Sequence, residues 1–155
     1  MLDRLLNEAG NNGIEIQERP FKNHRLKGLY CDNVIALNSS SISTRVEKTC
    51  VLAEEIGHHF TSFGNILDQS DIRARKQELR ARAWAYSRLV PFAALIRAYK
   101  AHVTGRFEVA DYLGVTEDFL GRSIQRYSEK YGLCVSYRGK YLIYFDPLDV
   151  VERID

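Results

Sequence analysis

Residues 50–60 read Cys50-Val51-Leu52-Ala53-Glu54-Glu55-Ile56-Gly57-His58-His59-Phe60. This run matches the metal-binding helix pattern H-E-x-x-H except at its first position, where Glu54 stands in place of histidine. In that pattern, two ligands four residues apart project from one helix face and bind one metal ion, and the glutamate after the first ligand acts as a base. The run therefore predicts a helix with Glu54 and His58 as metal ligands and Glu55 as the base.

Two other interpretations of this helix stay open. On a helical wheel Glu54 and His58 lie nearly opposite an apolar arc, so they suit either a cleft or a helix face that simply meets water. Glu55 and His59 are also four residues apart and form a rival ligand frame, although that frame leaves no base in the usual place. We prefer the Glu54/His58 frame to the Glu55/His59 frame. The apolar arc opposite Glu54 and His58 consists of Leu52, Ala53, Ile56, Phe60 and Phe63.

Length and composition set broad limits on the protein. A chain of 155 residues is long enough for one domain with a real core, or for a domain with a small appendage. Charged residues interrupt the first leucines, and no apolar run approaches the roughly 20 residues that span a bilayer. We therefore expect a soluble, cytoplasmic protein without a membrane partner. Three widely separated cysteines predict reduced packing residues rather than a thiolate zinc site or disulfides: Cys31, Cys50 and Cys134.

The net charge of +2 is unevenly distributed. Residues 71–106 carry nine Lys and Arg against two acidic residues, whereas the segments before and after are net acidic. Such a basic segment can attract nucleic acid or an acidic protein, but a solvated helix face is the commoner cause. Nucleic acid is therefore an open partner that we do not favour on charge alone.

The order of predicted elements indicates an α+β fold. A short helix ends at the turn cluster of residues 10–13, a strand follows over residues 14–19, and residues 29–37 form a hairpin about Asp32 and Asn33. Ser43 or Thr44 can cap the next helix with Glu47, close to capping-box spacing, and that helix is predicted over residues 45–63. We thus expect a small antiparallel N-terminal sheet before the motif helix.

Several of these pieces together resemble the ImmA/IrrE family of bacterial and phage metallopeptidases. They are Lys27-Gly28-Leu29-Tyr30-Cys31-Asp32, Ile35-Ala36-Leu37-Asn38, the run from Glu47 to His59, and Ala81-Arg82-Ala83-Trp84-Ala85 followed by Leu89-Val90-Pro91. The resemblance covers about residues 14–130. It implies a zincin-like active-site helix, a catalytic metal and cleavage of a repressor protein encoded by the same phage or mobile element.

The resemblance also implies a third metal ligand, because the family has a glutamate on its second helix and catalytic zinc normally has three protein ligands. Glu78 is the only acidic residue between Asp71 and Pro91, so it is the candidate, with Asp68 and Asp71 in reserve. An ordinary salt bridge within an arginine-rich helix is the alternative role for Glu78. A Glu, His, Glu ligand set lowers the residual charge on the ion and suits manganese or iron(II) as well as zinc.

The C-terminal part carries a second set of signals. Residues 110–116 resemble the turn of a helix-turn-helix, with Gly114 at the tight turn and Thr116 as the cap of the second helix. A DNA-binding role would place Arg122 and Arg126 in the major groove, but acidic residues begin that helix. We favour a role in packing or repressor recognition. A tyrosine-rich hairpin that covers a core is predicted after Gly132, and the last eight residues are predicted to be a loosely held tail.

The sequence predicts a metallopeptidase-like core over residues 1–105 and a helical segment with a hairpin over residues 106–155, packed as one unit. The expected function is cleavage of a phage or mobile-element repressor by a zinc-dependent endopeptidase that uses Glu54, Glu55, His58 and Glu78. One alternative is a pseudopeptidase that binds the repressor without cutting it. Another is a DNA-binding accessory protein.

Overall fold

The computed structural model describes residues 1–62 and 72–154. Within these residues the chain forms six helices and six strands, and this mixture confirms the α+β class. None of these helices is both long and apolar enough to cross a membrane. In chain order the elements are α1 (Leu2–Asn11), β1 (Glu15–Arg19), β2 (Gly28–Cys31), β3 (Val34–Asn38), α2 (Arg45–Thr61), α3 (Ile72–Leu89), α4 (Phe92–Lys100), α5 (Arg106–Leu113), α6 (Glu117–Tyr131), β4 (Cys134–Tyr137), β5 (Tyr141–Phe145) and β6 (Leu148–Glu152).

The chain divides into two compact units, residues 1–85 and residues 86–155, and α3 contributes to both. The domain boundary after residue 105 stays a prediction. The cysteines are free thiols, as expected, but Cys31 is exposed and is therefore not the packing residue we predicted, whereas Cys50 is buried.

The first unit contains a three-stranded sheet in the order β1-β3-β2. Strands β2 and β3 form the predicted antiparallel hairpin, in which Cys31 pairs with Val34. Asp32 and Asn33 make its turn with φ angles of 48° and 64°, as a tight two-residue hairpin requires. β1 joins β3 in parallel, so the sheet is mixed and β2 is one of its edges.

The helix that carries the motif begins with the predicted capping arrangement. The Thr44 side chain accepts a hydrogen bond from the Glu47 backbone N–H at 3.0 Å, and a Glu47 carboxylate oxygen accepts one from the Ser43 N–H at 3.1 Å. Glu47 also forms an ion pair with Lys27, the residue just before β2. These contacts satisfy backbone donors that the first helical turn leaves open and tie the start of α2 to the start of β2. The helix ends at Thr61, and the predicted last residue, 63, lies outside the described residues.

A buried asparagine holds the loop before β2. Asn38 is fully buried, and its side-chain oxygen accepts hydrogen bonds from the backbone N–H groups of Phe21 and Ser40. Its amide nitrogen donates to the Leu26 carbonyl at 2.7 Å and to the Ser41 hydroxyl at 2.8 Å. Because a buried amide is costly unless its polar atoms are paired, this network favours a single path for the loop. The network therefore helps to set where β2 begins.

The second unit contains the predicted helix-turn-helix-like segment. Gly114 ends α5 in the left-handed conformation, with φ 72° and ψ 34°, and the Thr116 side chain caps α6 by accepting from the Phe119 N–H at 3.0 Å. Both features were predicted from the sequence. Phe119 is fully buried, so one face of α6 packs into the core of this unit.

The C-terminal strands correct one prediction. β4 and β5 form the expected hairpin, and its Tyr141 and Phe145 side chains are buried, which confirms the predicted covering role. The prediction of a loose tail over the last eight residues is wrong for residues 148–152, because they form β6, which pairs with β5 as a third strand. The segment is short and partly charged. Its side chains alternate between buried and exposed, with Val150 buried at the centre, as in a strand that packs on one face.

The helices α2 and α3 approach each other most closely at a glycine. A Cβ atom on Gly57 would overlap the backbone carbonyl oxygen of Ala81 and lie 3.1 Å from its carbonyl carbon. Backbone atoms cannot rotate away as the end of a side chain can, so only glycine fits at this crossing. The contact brings the second half of α2 against α3.

We expect Gly57→Ala to lower the free energy of unfolding by about 1–3 kcal/mol, because the new methyl group must push two helices apart. Urea unfolding of the metal-free protein followed by circular dichroism measures this change. Gly10→Ala is the matched control, since Gly10 lies in α1 with open space around it, and alanine there should be neutral or stabilising by up to about 1 kcal/mol. Equal stability of the two variants would show that the crossing tolerates a side chain.

Candidate metal centre

The three motif residues on α2 project from adjoining faces of that helix. Glu54 and His58 are one turn apart on the same face, and Glu55 lies about a quarter of a turn away, toward β2. His58 is only 5% exposed, and Glu54 and Glu55 are partly buried. The interpretation of this face as a surface that simply meets water is therefore wrong for His58.

The buried imidazole meets a carboxylate from the neighbouring helix. His58 Nε2 lies 3.0 Å from a carboxylate oxygen of Glu78 on α3. The other carboxylate oxygen of Glu78 lies 3.0 Å from Nε of Arg82, one turn further along α3. The structure thus brings together His58 and Glu78, which lie 20 positions apart in the sequence. It also pairs Glu78 with Arg82, the ordinary salt-bridge role that was the alternative.

The other ring nitrogen of His58 has a partner of its own. His58 Nδ1 lies 3.1 Å from the Ser62 hydroxyl, which follows the last residue of α2. A hydroxyl can donate or accept, so this contact suits either tautomer of the ring. Metal-ligating histidines usually have such a partner, because it fixes the ring orientation and leaves the opposite nitrogen for the ion. Ser62 is thus a site residue that the sequence interpretation missed.

The contact between the two helices shifts the pKa values of His58 and Glu78. Burial tends to lower the pKa of His58, but the hydrogen bond to Glu78 and the charges of Glu55, Glu78 and Glu54 outweigh it, so the pKa is raised overall. The hydrogen bond from His58 lowers the pKa of Glu78, burial opposes this in part, and Arg82 adds to the lowering. Both shifts favour the charged pair.

Glu55 has a different environment from Glu78. Burial raises the pKa of Glu55 to about 7; His58 opposes this shift, and the negative charges of Glu54 and Glu78 add to it. Part of its surroundings is the backbone of β2, because a Cβ on Gly28 would lie 2.9 Å from Glu55 Cγ. A carboxyl group with a pKa near neutrality can both take up and release a proton at neutral pH. Glu55 therefore has the environment of a proton-transfer group.

His59 faces the sheet rather than α3. Its Nδ1 lies 2.9 Å from the hydroxyl of Tyr30 on β2, and the two rings meet edge to face at a centroid distance of 5.6 Å. The same hydroxyl lies within 3.4 Å of the Asn33 backbone N–H in the hairpin turn. Tyr30 therefore ties β2 to α2. The sequence analysis assigned Tyr30 no role of its own.

Two of the three candidate ligands have side chains whose chemistry fits a divalent cation. An imidazole nitrogen and a carboxylate already share one polar contact at His58 and Glu78, and both are ligands that zinc, manganese and iron(II) accept. Glu54 shares the helix face of His58, but within residues 1–62 and 72–154 no group of three or more such side chains is arranged to hold a metal ion. The reserve ligands Asp68 and Asp71 lie outside the described residues.

Comparison with known proteins identifies one family. A model of the peptidase M78 family, described as the IrrE N-terminal-like domain, matches residues 9–125. This match includes β1–β3, the motif helix, Glu78 and the helix-turn-helix-like segment up to residue 125 in α6. No curated protein and no solved structure matches the chain.

Proposed function

This chain belongs to the IrrE N-terminal-like family of peptidases, and we propose that it is a metal-dependent endopeptidase that cleaves the transcriptional repressor of a phage or mobile element. Family membership implies a peptidase-type protein with a metal cofactor. The observation that carries the finer proposal is the contact of 3.0 Å between His58 Nε2 and Glu78 across two helices, with Glu55 beside it. The repressor is the substrate because the sequence resembles the ImmA-type proteases encoded beside such proteins.

In this proposal His58, Glu78 and Glu54 hold the metal. His58 and Glu78 already share a polar contact, and Glu54 lies one turn before His58 on the same face of α2. When bound, a divalent ion supplies Lewis-acid activation of water and of the peptide carbonyl. Zinc is the expected ion, but two carboxylates and one imidazole also accept manganese or iron(II).

Glu55 carries the proton in the proposed reaction. Its pKa of about 7 lets it accept a proton from the attacking water at neutral pH and deliver it to the leaving amine. Ser62 contacts His58 Nδ1 and so leaves Nε2 of that ring for the metal, which keeps the ring out of the proton transfer. The edge of β2 beside Glu55 is a place where an extended segment of the repressor can pair by backbone hydrogen bonds.

A DNA-binding role has less support from the second unit. Arg122 forms an ion pair with Asp118 on its own helix at 3.0 Å, and its guanidinium lies over the rings of Tyr86 and Phe119. Arg126 lies 3.9 Å from a carboxylate of Glu129. An arginine held in this way must give up these contacts before it can read a base edge. These contacts favour a role for α6 in packing or in recognition of a protein.

Metal retention tests the ligand set. After chelator treatment and reloading with zinc, manganese or iron(II), we expect close to one ion per wild-type chain by elemental analysis and a loss of bound metal in Glu78→Ala, because that variant removes a charged ligand. Arg80→Ala is the matched control, since Arg80 is an exposed residue on the same helix. A wild-type protein that retains none of the three metals would contradict the peptidase proposal and favour the binding-only alternative.

Removal of the proton carrier separates cutting from binding. We expect Glu55→Gln to slow cleavage of the repressor by about 10²–10⁴-fold, because the amide cannot take up the proton. Mass spectrometry of the repressor after incubation with each zinc-loaded protein measures the cleavage, and elemental analysis checks that the variant keeps its metal. A variant that cuts as fast as the wild type would remove Glu55 from the mechanism. If the wild type and Glu55→Gln both relieve repression without cleaving the repressor, the pseudopeptidase alternative is supported.

Restoring the missing histidine tests Glu54. We expect Glu54→His to bind zinc about tenfold more tightly or better, equivalent to about 1.4 kcal/mol, because zinc prefers imidazole to a second carboxylate here. Competition with a zinc-binding dye measures the affinity. Unchanged affinity would argue that Glu54 is not a ligand. His59→Ala serves as the comparison, because a loss of affinity in that variant would favour the rival Glu55/His59 frame.

A further inference from the structure

Strand β2 has a gap in its row of side chains where it passes the proposed base. Gly28 is its first residue, and a Cβ there would lie 2.9 Å from Glu55 Cγ and 3.0 Å from a carboxylate oxygen of Glu55. The same Cβ would lie 2.9 Å from Cγ1 of Val51, one turn earlier on the same face of α2. Cβ contacts this short do not occur in proteins, so the Glu55 side chain occupies space that any other residue at position 28 would need.

The strand cannot easily move back to make room. Two residues further along β2, Tyr30 is held to His59 by the contact of 2.9 Å between its hydroxyl and Nδ1. Just before the strand, Lys27 is paired with Glu47 at the start of α2. Gly28 thus lies between two anchors that join β2 to the same helix. A side chain at position 28 would therefore displace Glu55 or Val51 rather than the strand.

Glu55 is the part of this contact that can give way. Its side chain has several rotatable bonds, so a methyl group at position 28 can be accommodated by a different rotamer at a modest cost to the fold. The same rotation would carry the carboxylate away from its present place. Misplacement of a reacting group by about 1 Å is enough to slow a reaction by about 100-fold. A substitution at Gly28 is thus expected to damage catalysis much more than stability.

We propose that Gly28 is a positioning residue for Glu55: the bare backbone of β2 at this point forms the wall against which the carboxylate rests during proton transfer. This inference rests on the proposed peptidase function. It adds a specific requirement, which is that the edge strand at position 28 carries no side chain. The neighbouring Leu29 is partly exposed, and the alternation of a strand turns its side chain to the other face, so it is not part of this wall.

The geometry can be tested without metal or substrate. In the metal-free protein we expect a nuclear Overhauser effect between the Gly28 Hα protons and the Glu55 Hγ protons. Its absence from a folded wild-type protein would overturn the assignment, because the two groups would then not be in contact.

The functional test compares Gly28→Ala with Gly10→Ala, the same exchange in α1 at a position with open space around it, and both proteins are loaded with zinc and assayed on the repressor. For Gly28→Ala we expect a fall in kcat of about 100-fold with little change in KM, because the transition state loses its base while substrate binding is kept. Zinc content and the urea midpoint should stay close to those of the wild type. Gly10→Ala should keep the kcat of the wild type, since the new methyl group there has open space around it.

Rescue distinguishes positioning from general damage. Adding Val51→Ala to Gly28→Ala removes the other atom that crowds the new methyl group, so the methyl group can shift toward the vacated space and away from Glu55, and kcat should recover in part. Gly28→Ala with the kcat of the wild type would overturn the positioning role alone. A wild-type protein that binds zinc but does not cut the repressor would overturn the proposed function and, with it, this role. The two failures are therefore distinguishable.

Discussion

The close approach of α2 and α3 is the constraint on which the candidate site depends. Because Gly57 has no side chain, the backbone carbonyl of Ala81 can lie directly against it. His58 follows Gly57 on α2, and Glu78 precedes Ala81 by three residues on α3, so both are within one turn of the crossing point. Their contact at 3.0 Å is a direct consequence of the short distance between the helices. A wider crossing would leave room for side chains between the backbones and would separate this pair.

The second organising factor is that the two carboxylates Glu55 and Glu78, both near His58, have different surroundings and opposite pKa shifts. Glu78 meets the imidazole and Arg82, and its pKa is lowered, so it stays ionised and can serve as a ligand. Burial is the main reason that the pKa of Glu55 rises to about 7, although the charge of His58 opposes this shift. Two carboxylates whose pKa values move in opposite directions within one site suit two different tasks, as in many acid–base enzymes. In the proposed mechanism these opposite shifts assign Glu78 to the metal and Glu55 to proton transfer.

The family match and the local chemistry make different contributions. Membership in the IrrE N-terminal-like family establishes the general kind of protein. The specific reaction depends on particular side chains, since a fold can be retained while its site changes. In the proposed site, Glu54 stands where the H-E-x-x-H pattern has its first histidine, and a carboxylate there lowers the residual positive charge on a bound ion. We therefore expect a site that accepts harder ions and activates water less strongly than a site with two histidines.

The sequence by itself determined the elements and most of their ends. The spacing of four residues put Glu54 and His58 on one face of α2. Thr44 and Glu47 started that helix, and Gly114 ended α5. Each of these effects acts within a few neighbouring residues, so a local pattern records it. Only the tertiary structure decided that His58 is buried against Glu78, that Gly28 lies beneath Glu55, and that the C-terminal residues add the strand β6. These features join residues far apart in the chain, and the distance between two packed elements is set by backbone contacts that no local pattern records.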